Sequence, residues 1–297
     1  MTGRWTMKIE TAFFHKIFSK LGLESLFLWI WRKKTTRNVI NAPRRIIYFL
    51  FRKRYEVLGS NSEEISRITE SLVNSGFAQT HISRFKDMPT LQSLQDEYDQ
   101  LLALEIRSPH SRKSKEFIQR LVDDDYDFVS NSNSSFCKFV TNRDLFYVAT
   151  RYLRLVPKRT SFKVWRSHFT GSEARSASQN WHRDYNEFQM IRVFLYLNHV
   201  TVETGAGQYI SGTHYLGDSY NLLEYSEESG TYATDDEIAE NFTLDRVLTA
   251  EGEPGTIVLI DTAGLHRGGF HTIPSERRIA LLTFSTAADI MPTKIKV

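Results

Sequence analysis

The spacing of hydrophobic positions changes part-way along the chain. Near the start, Phe13, Phe14, Ile17, Phe18 and Leu21 recur at three- and four-residue steps with Lys16 and Lys20 between them, which predicts an amphipathic helix. A second apolar group, Ile46 to Phe51, lies between Arg44-Arg45 and Arg52-Lys53-Arg54. From 61 to 160 a helical period dominates. Ser62-Glu63-Glu64-Ile65 resembles a helix start, and Leu91, Leu94, Tyr98, Leu101 and Leu102 keep the period. The acidic run Asp123 to Asp127 lacks the alternating oxygens and central Gly of a calcium loop, so it reads as a solvated turn. Beyond 160 the runs become short and β-rich: Phe162 to Phe169, Met190 to Asn198, Thr256 to Asp261 and Ile279 to Phe284. Gly205-Ala206-Gly207, Ser211-Gly212-Thr213, Glu253-Pro254-Gly255 and Ile273-Pro274-Ser275 mark turns. In the 190–198 run, Ile191, Val193, Leu195 and Leu197 share the expected core face, and Arg192, Phe194 and Tyr196 share the other. Helices followed by strands predict an α+β protein with an antiparallel sandwich or barrel in its second half. The polar, acidic stretch Glu224 to Asp245 reads as a long excursion of the lid type.

Composition narrows the class. The 297 residues are 41% hydrophobic and 25% charged, an ordinary globular mix that excludes a disordered or collagen-like chain. A single cysteine, Cys137, excludes a disulfide framework and any multi-cysteine metal site. The net charge of +3 hides an asymmetry: residues 1–60 carry 13 Lys and Arg against Glu10, Glu24 and Glu56. The remainder is therefore net acidic. A basic end on an acidic body suits a polyanion, a membrane surface or an acidic partner. Two divisions follow: a basic, helical N-terminal extension over 1–60 and a main domain over 61–297 whose first part is helical. Residues 1–55 are a candidate for peripheral membrane contact, with packing on the domain or on another subunit as the alternative. The apolar stretch Leu21 to Trp31 is too short to span a bilayer, contains Glu24, and runs into Arg32-Lys33-Lys34 rather than a cleavage site. The expectation is a cytoplasmic protein, peripheral to the inner face of a membrane if the extension binds there. No nucleic-acid motif or phosphate loop is present, so no nucleic-acid partner is expected.

One segment carries chemistry. His182 and Asp184 stand two apart in Asn180-Trp181-His182-Arg183-Asp184-Tyr185, so an extended backbone points both side chains to one side. Further along, the apolar run Thr256 to Asp261 leads into Gly264-Leu265-His266-Arg267-Gly268-Gly269, with His266 standing 82 residues beyond Asp184. If the two segments are neighbours, two imidazoles and a carboxylate take one face of a metal octahedron and leave three positions open. Arg277 follows His266 by eleven residues, and an antiparallel return would bring it to the metal side, where a guanidinium can grip a carboxylate through two hydrogen bonds. Each element alone has a mundane explanation: a hydrogen-bonded surface pair, a packed histidine, an exposed arginine. Their order and their β-rich setting point to one site.

These residues resemble the phytanoyl-CoA dioxygenase-like branch of the Fe(II)/2-oxoglutarate oxygenases, over roughly residues 160–285. The pattern there is His182-Arg183-Asp184, Thr204-Gly205, Ser211-Gly212-Thr213-His214, His266 and Arg277. Ser211 stands where the family usually has Pro, a departure in a turn and not at a ligand. The resemblance implies a double-stranded β-helix (a cupin-like jelly-roll) with flanking helices. It implies Fe(II) on His182, Asp184 and His266, with 2-oxoglutarate chelating the iron and gripped by Arg277, and O2 as oxidant. The implied reaction is hydroxylation of a small-molecule, lipid-like or glycan-bearing metabolite with release of succinate and CO2. Phe194 and Tyr196 are expected to face the co-substrate, and Arg166, Gln179 and Trp181 the substrate. His214 is expected to fix its loop, and Arg183 to be structural. The competing reading is an inactive β-helix that works as a peripheral membrane or scaffold module through its basic helices.

Overall fold

The computed structural model describes residues 11–286 apart from 24–25, 27–29, 31–33, 59–62, 108–115, 124–132, 185–186, 188 and 224–231. The expected acidic turn lies almost wholly outside the described residues, as does the junction at 60/61. The described helices are α1 (Thr11–Lys20), α2 (Lys34–Leu58), α3 (Glu63–Ser75), α4 (Leu91–Arg107), α5 (Ser135–Thr141), α6 (Arg143–Leu153) and α7 (Asp235–Asn241). The strands are β1 (Phe77–His81), β2 (Ile118–Asp123), β3 (Lys158–His168), β4 (Trp181–His182), β5 (Ile191–Tyr196) and β6 (Gly207–Ile210). They continue with β7 (Tyr232–Ala233), β8 (Val247–Ala250), β9 (Thr256–Asp261), β10 (His266–Arg267) and β11 (Glu276–Ser285).

Two antiparallel sheets form a double-stranded β-helix. The larger runs β1-β9-β5-β11-β3-β2, and the smaller β7-β4-β10-β6-β8. The four β-rich runs of the sequence are β3, β5, β9 and β11, the middle of the large sheet. The 61–160 stretch, expected to be mainly helical, also supplies both edge strands, β1 and β2. Their sequences, Phe77–His81 and Ile118–Asp123, mix apolar with polar residues and lack the apolar runs of β5 and β9, so the pattern does not announce them.

Alternation sorts the large sheet's two faces. Ile191, Val193 and Leu195 of β5, Ile257 and Leu259 of β9, and Ala280, Leu282 and Phe284 of β11 join the main core. The apolar stripes of α3 (Ile65, Ile68, Leu72), α4 (Leu94, Tyr98) and α6 (Leu145, Val148, Tyr152) cover that face. Asn142 caps α6, its side chain accepting from Leu145 N at 3.1 Å. The opposite face, with Phe194, Tyr196, Val258, Ile260, Ile279 and Leu281, turns toward the small sheet. The space between the sheets is a cavity of about 570 Å³.

Candidate metal centre

β4 and β10 are only two residues long, but their pairing sets His266 opposite His182. The rings stand 4.3 Å apart between centroids, at 45°. Asp184 leaves β4 on a loop fixed by its own N–H, which donates to Thr262 O at 2.8 Å. One ligand atom from each of His182, Asp184 and His266 lies within 4.8 Å of the others.

The chemistry of this donor set fits a divalent metal. His182 Nδ1 donates to Asn180 O at 2.9 Å and His266 Nδ1 to Gly264 O at 2.9 Å. A neutral ring that donates through Nδ1 keeps its lone pair on Nε2, and the carbonyl fixes its orientation. His266 Nε2 sits 3.9 Å from Asp184 Oδ2, too far for a hydrogen bond and suited to two ligands flanking one atom. Burial, helped by His182, pushes the His266 imidazole down to about 3 against the pull of Asp184, so it is neutral. Burial alone would raise the Asp184 carboxyl. Arg192, His266 and His182 outweigh it and hold the group below the usual carboxylate range. Asp184 Oδ2 pairs with Arg192 Nη2 at 2.8 Å, so the same carboxylate oxygen neighbours a guanidinium and the two imidazoles.

Several side chains hold this geometry without joining it. Arg183 donates to four backbone carbonyls: Thr213 (2.6 Å), Ala263 (2.8 Å), Leu222 (2.9 Å) and Tyr220 (3.2 Å). It ties the Asp184 loop to the turns around it, the structural role expected. Thr213 Oγ accepts from Leu265 N at 2.8 Å, which sets the residue before His266. His214 contacts Val73 O at 3.0 Å through Nε2 and fixes its loop against α3. Asp261, at the end of β9, is fully buried. Tyr152 Oη donates to it at 2.5 Å and Ala263 N at 3.0 Å, and burial pushes its carboxyl up to about 7.

Arg277 lines the same cavity from β11. Its Nη1 donates to Gly205 O, and its Nε to Ser167 Oγ at 3.3 Å. Ser167 in turn meets His271 Nε2 at 3.1 Å, and burial then Arg277 push His271 down to about 4. Gly205 has φ +88°, and a Cβ there would meet His271 at 2.8 Å, so the Thr204-Gly205 turn needs glycine to reach Arg277. Among the described residues no carboxylate pairs with Arg277, and burial lowers its pKa. Phe194 and Tyr196 also line the cavity. Burial pushes the Tyr196 phenol up to about 12, and it donates to Ala250 O at 2.7 Å.

Three residues expected at the substrate lie off the cavity lining. Strand alternation sends Lys163 and Trp165 inward and Arg166 outward, where it meets Gln119 at 2.7 Å and Glu276 at 3.1 Å. The same alternation turns Trp181 away from His182; its Nε1 donates to Asp235 at 2.8 Å and Arg267 stacks over its ring at 4.3 Å. Gln179 is buried in its own turn, accepting from Ser176 N at 3.0 Å and donating to Gly269 O at 3.4 Å. Residues the sequence did not single out line the cavity instead: Phe117, Arg120 and Lys163 beside Trp165, and Tyr232, whose ring lies 5.8 Å from His182. Tyr232 begins the described part of the 224–245 excursion, so that segment does reach the site, through β7 and α7.

Comparison with known proteins gives the same frame. The family model described as phytanoyl-CoA dioxygenase matches residues 79–279. The solved structure of the epimerase SnoN in complex with Fe3+, alpha ketoglutarate and nogalamycin RO is 11% identical, with a TM-score of 0.54 over 75% of this chain and 84% of that one. EctD from S. alaskensis, solved with 2-oxoglutarate and 5-hydroxyectoine, is 14% identical, with a TM-score of 0.51 over 75% of this chain and 76% of that one. At such identity the likeness is one of fold. No curated protein matches the sequence.

Proposed function

The chain belongs to the phytanoyl-CoA dioxygenase family, and on that premise we propose that it is an Fe(II)/2-oxoglutarate-dependent oxygenase whose iron is held by His182, Asp184 and His266. The observation that carries the residue assignment is the convergence of ligand atoms of those three side chains to within 4.8 Å of one another on the wall of the cavity between the sheets. Bound there, Fe(II) with 2-oxoglutarate supplies activation of O2, coupled to release of succinate and CO2. The protein's own part is positional. The two backbone-tethered imidazoles and the ionised Asp184 fix a facial donor set. Arg277 takes the distal carboxylate of 2-oxoglutarate, a role supported by its burial, its lack of an acidic partner among the described residues, and its place in the same cavity. Trp165, Phe194 and Tyr196 keep water from the reacting groups.

The reaction we assign is hydroxylation of an unactivated C–H bond in a small, lipid-like or glycan-bearing metabolite. Aromatic and aliphatic side chains such as Trp165, Phe194, Ile260 and Leu281 make up much of the lining, so a substrate with a largely apolar body suits it best. An inactive scaffold has no need of a complete donor set with tethered imidazoles, which favours the enzyme. The test is anaerobic titration of the full chain with Fe(II) and then 2-oxoglutarate, followed by air. The expected result is a visible charge-transfer band, then succinate, with a candidate substrate gaining one oxygen. Metal affinity indifferent to alanine at His182, Asp184 and His266 alike would remove the assignment.

A further inference from the structure

Helix α2 is amphipathic the wrong way round for water. Arg37, Asn41, Arg44 and Tyr48 recur at four-, three- and four-residue steps and so form one stripe. This polar stripe faces the protein: Arg37 and Asn41 are each 3% exposed. Arg37 Nη1 meets Glu187 Oε1 at 2.7 Å in a buried ion pair, and Arg44 Nη1 donates to Val156 O at 2.7 Å. Glu187 also accepts from Thr286 Oγ1. Two residues out of phase with that stripe, Val39, Pro43, Ile46 and Leu50 repeat the same steps on the far side of the helix. There Val39 is 73% exposed, Ile46 57% and Leu50 68%, with Phe49 beside them at 66%.

A helix that only covered a core would place these stripes the other way. The buried pair fixes the orientation, because turning α2 over would take the Arg37 charge away from the buried Glu187 carboxylate. On α1, Phe14 and Ile17 are likewise exposed, as is Leu21 just beyond it, with Lys16 and Lys20 exposed between them. The outward apolar side therefore belongs to a segment carrying 13 Lys and Arg against three acids over residues 1–60. A second copy of the chain would set one such basic segment against another, and like charges oppose that contact. An anionic bilayer answers both features, taking the apolar side chains into its acyl boundary and the Lys and Arg into its headgroups.

We propose that the outward face of α2, with α1, docks the protein on an anionic membrane surface. It anchors the domain beside the loop that carries Asp184, since Glu187 lies three residues beyond it. This goes beyond the oxygenase reading and stands or falls separately from it.

The experiment is vesicle flotation of the full chain with phosphatidylcholine alone and with phosphatidylcholine plus phosphatidylserine, read beside size-exclusion chromatography. The intact protein should float with the anionic vesicles at least about 10-fold better than with neutral ones, and less well at high salt. The V39S/I46S/L50S variant should bind at least about 30-fold more weakly while its iron-dependent 2-oxoglutarate turnover is unchanged. K16E/K20E should lose the preference for anionic lipid with all apolar side chains still present. Failure of the intact protein to float overturns the proposal. So does a stable dimer that V39S/I46S/L50S converts to monomer without any vesicle binding, since a second copy would then cover the face. Equal flotation of the intact protein and the serine variant overturns it as well.

Discussion

The two faces of the large sheet are built from the same strands, yet they do different work. On the helix side, Ile191, Val193 and Leu195 join one buried core with side chains of α3 to α6. On the cavity side, Arg192, Phe194 and Tyr196 alternate with them and face a space of about 570 Å³. The arginines sharpen the contrast. Arg183 and Arg277 are both buried and both border the cavity, but Arg183 donates to four backbone carbonyls, whereas Arg277 reaches only one carbonyl and one hydroxyl among the described residues. Burial alone therefore does not separate scaffold from site. What separates them is whether neighbouring groups of the chain complete the contacts.

The comparison breaks first at the donor set. Alanine at His182, Asp184 or His266 should abolish iron-dependent turnover and weaken metal binding by orders of magnitude, with little change in thermal midpoint, as read by metal titration and calorimetry. Arg277→Ala should raise the 2-oxoglutarate requirement by an amount worth about 2–5 kcal/mol, the loss expected when one partner of a buried charged pair is removed. A normal KM for 2-oxoglutarate would shift the clamp elsewhere. On the helix side, Leu195→Ala should cost about 2–5 kcal/mol of stability in chemical denaturation. Phe194→Ala, its neighbour on the cavity side, should cost less stability and more turnover; the reverse order would erase the distinction between the faces.

Asp261 gives a pH signature. Its carboxyl is pushed up to about 7 in the fold, chiefly by burial, against 3.8 as the ordinary value. Between those values the folded state holds a proton that the unfolded state releases, so stability should fall as pH rises from about 4 to 7 and level off above. The span is at most about 4 kcal/mol. Asp261→Asn should flatten that slope in urea titrations run across the range. The smallest effect belongs to Arg166→Gln, which breaks a half-exposed pair with Glu276; it should change stability by under about 1 kcal/mol and leave 2-oxoglutarate turnover alone.

The chain alone declared much of this. The β-rich runs, the two faces of β5, and the order His182, Asp184, His266, Arg277 are legible because alternation and residue chemistry are local properties. The same alternation, applied more strictly, would have excluded Arg166 and Trp181, since each adjoins a residue that faces inward. The edge strands β1 (Phe77–His81) and β2 (Ile118–Asp123) were not legible, because polar residues interrupt them where β5 and β9, no longer or only one residue longer, are nearly continuous apolar runs. Nor was Arg192's contact with Asp184, which joins β5 to the loop after β4. The sequence decided which groups could bind a metal and which faces were apolar. Only the tertiary structure decided which apolar faces found cover. α2 turns its polar stripe inward because Glu187 waits there in a buried place, and an ion pair across 150 residues is invisible to any local pattern.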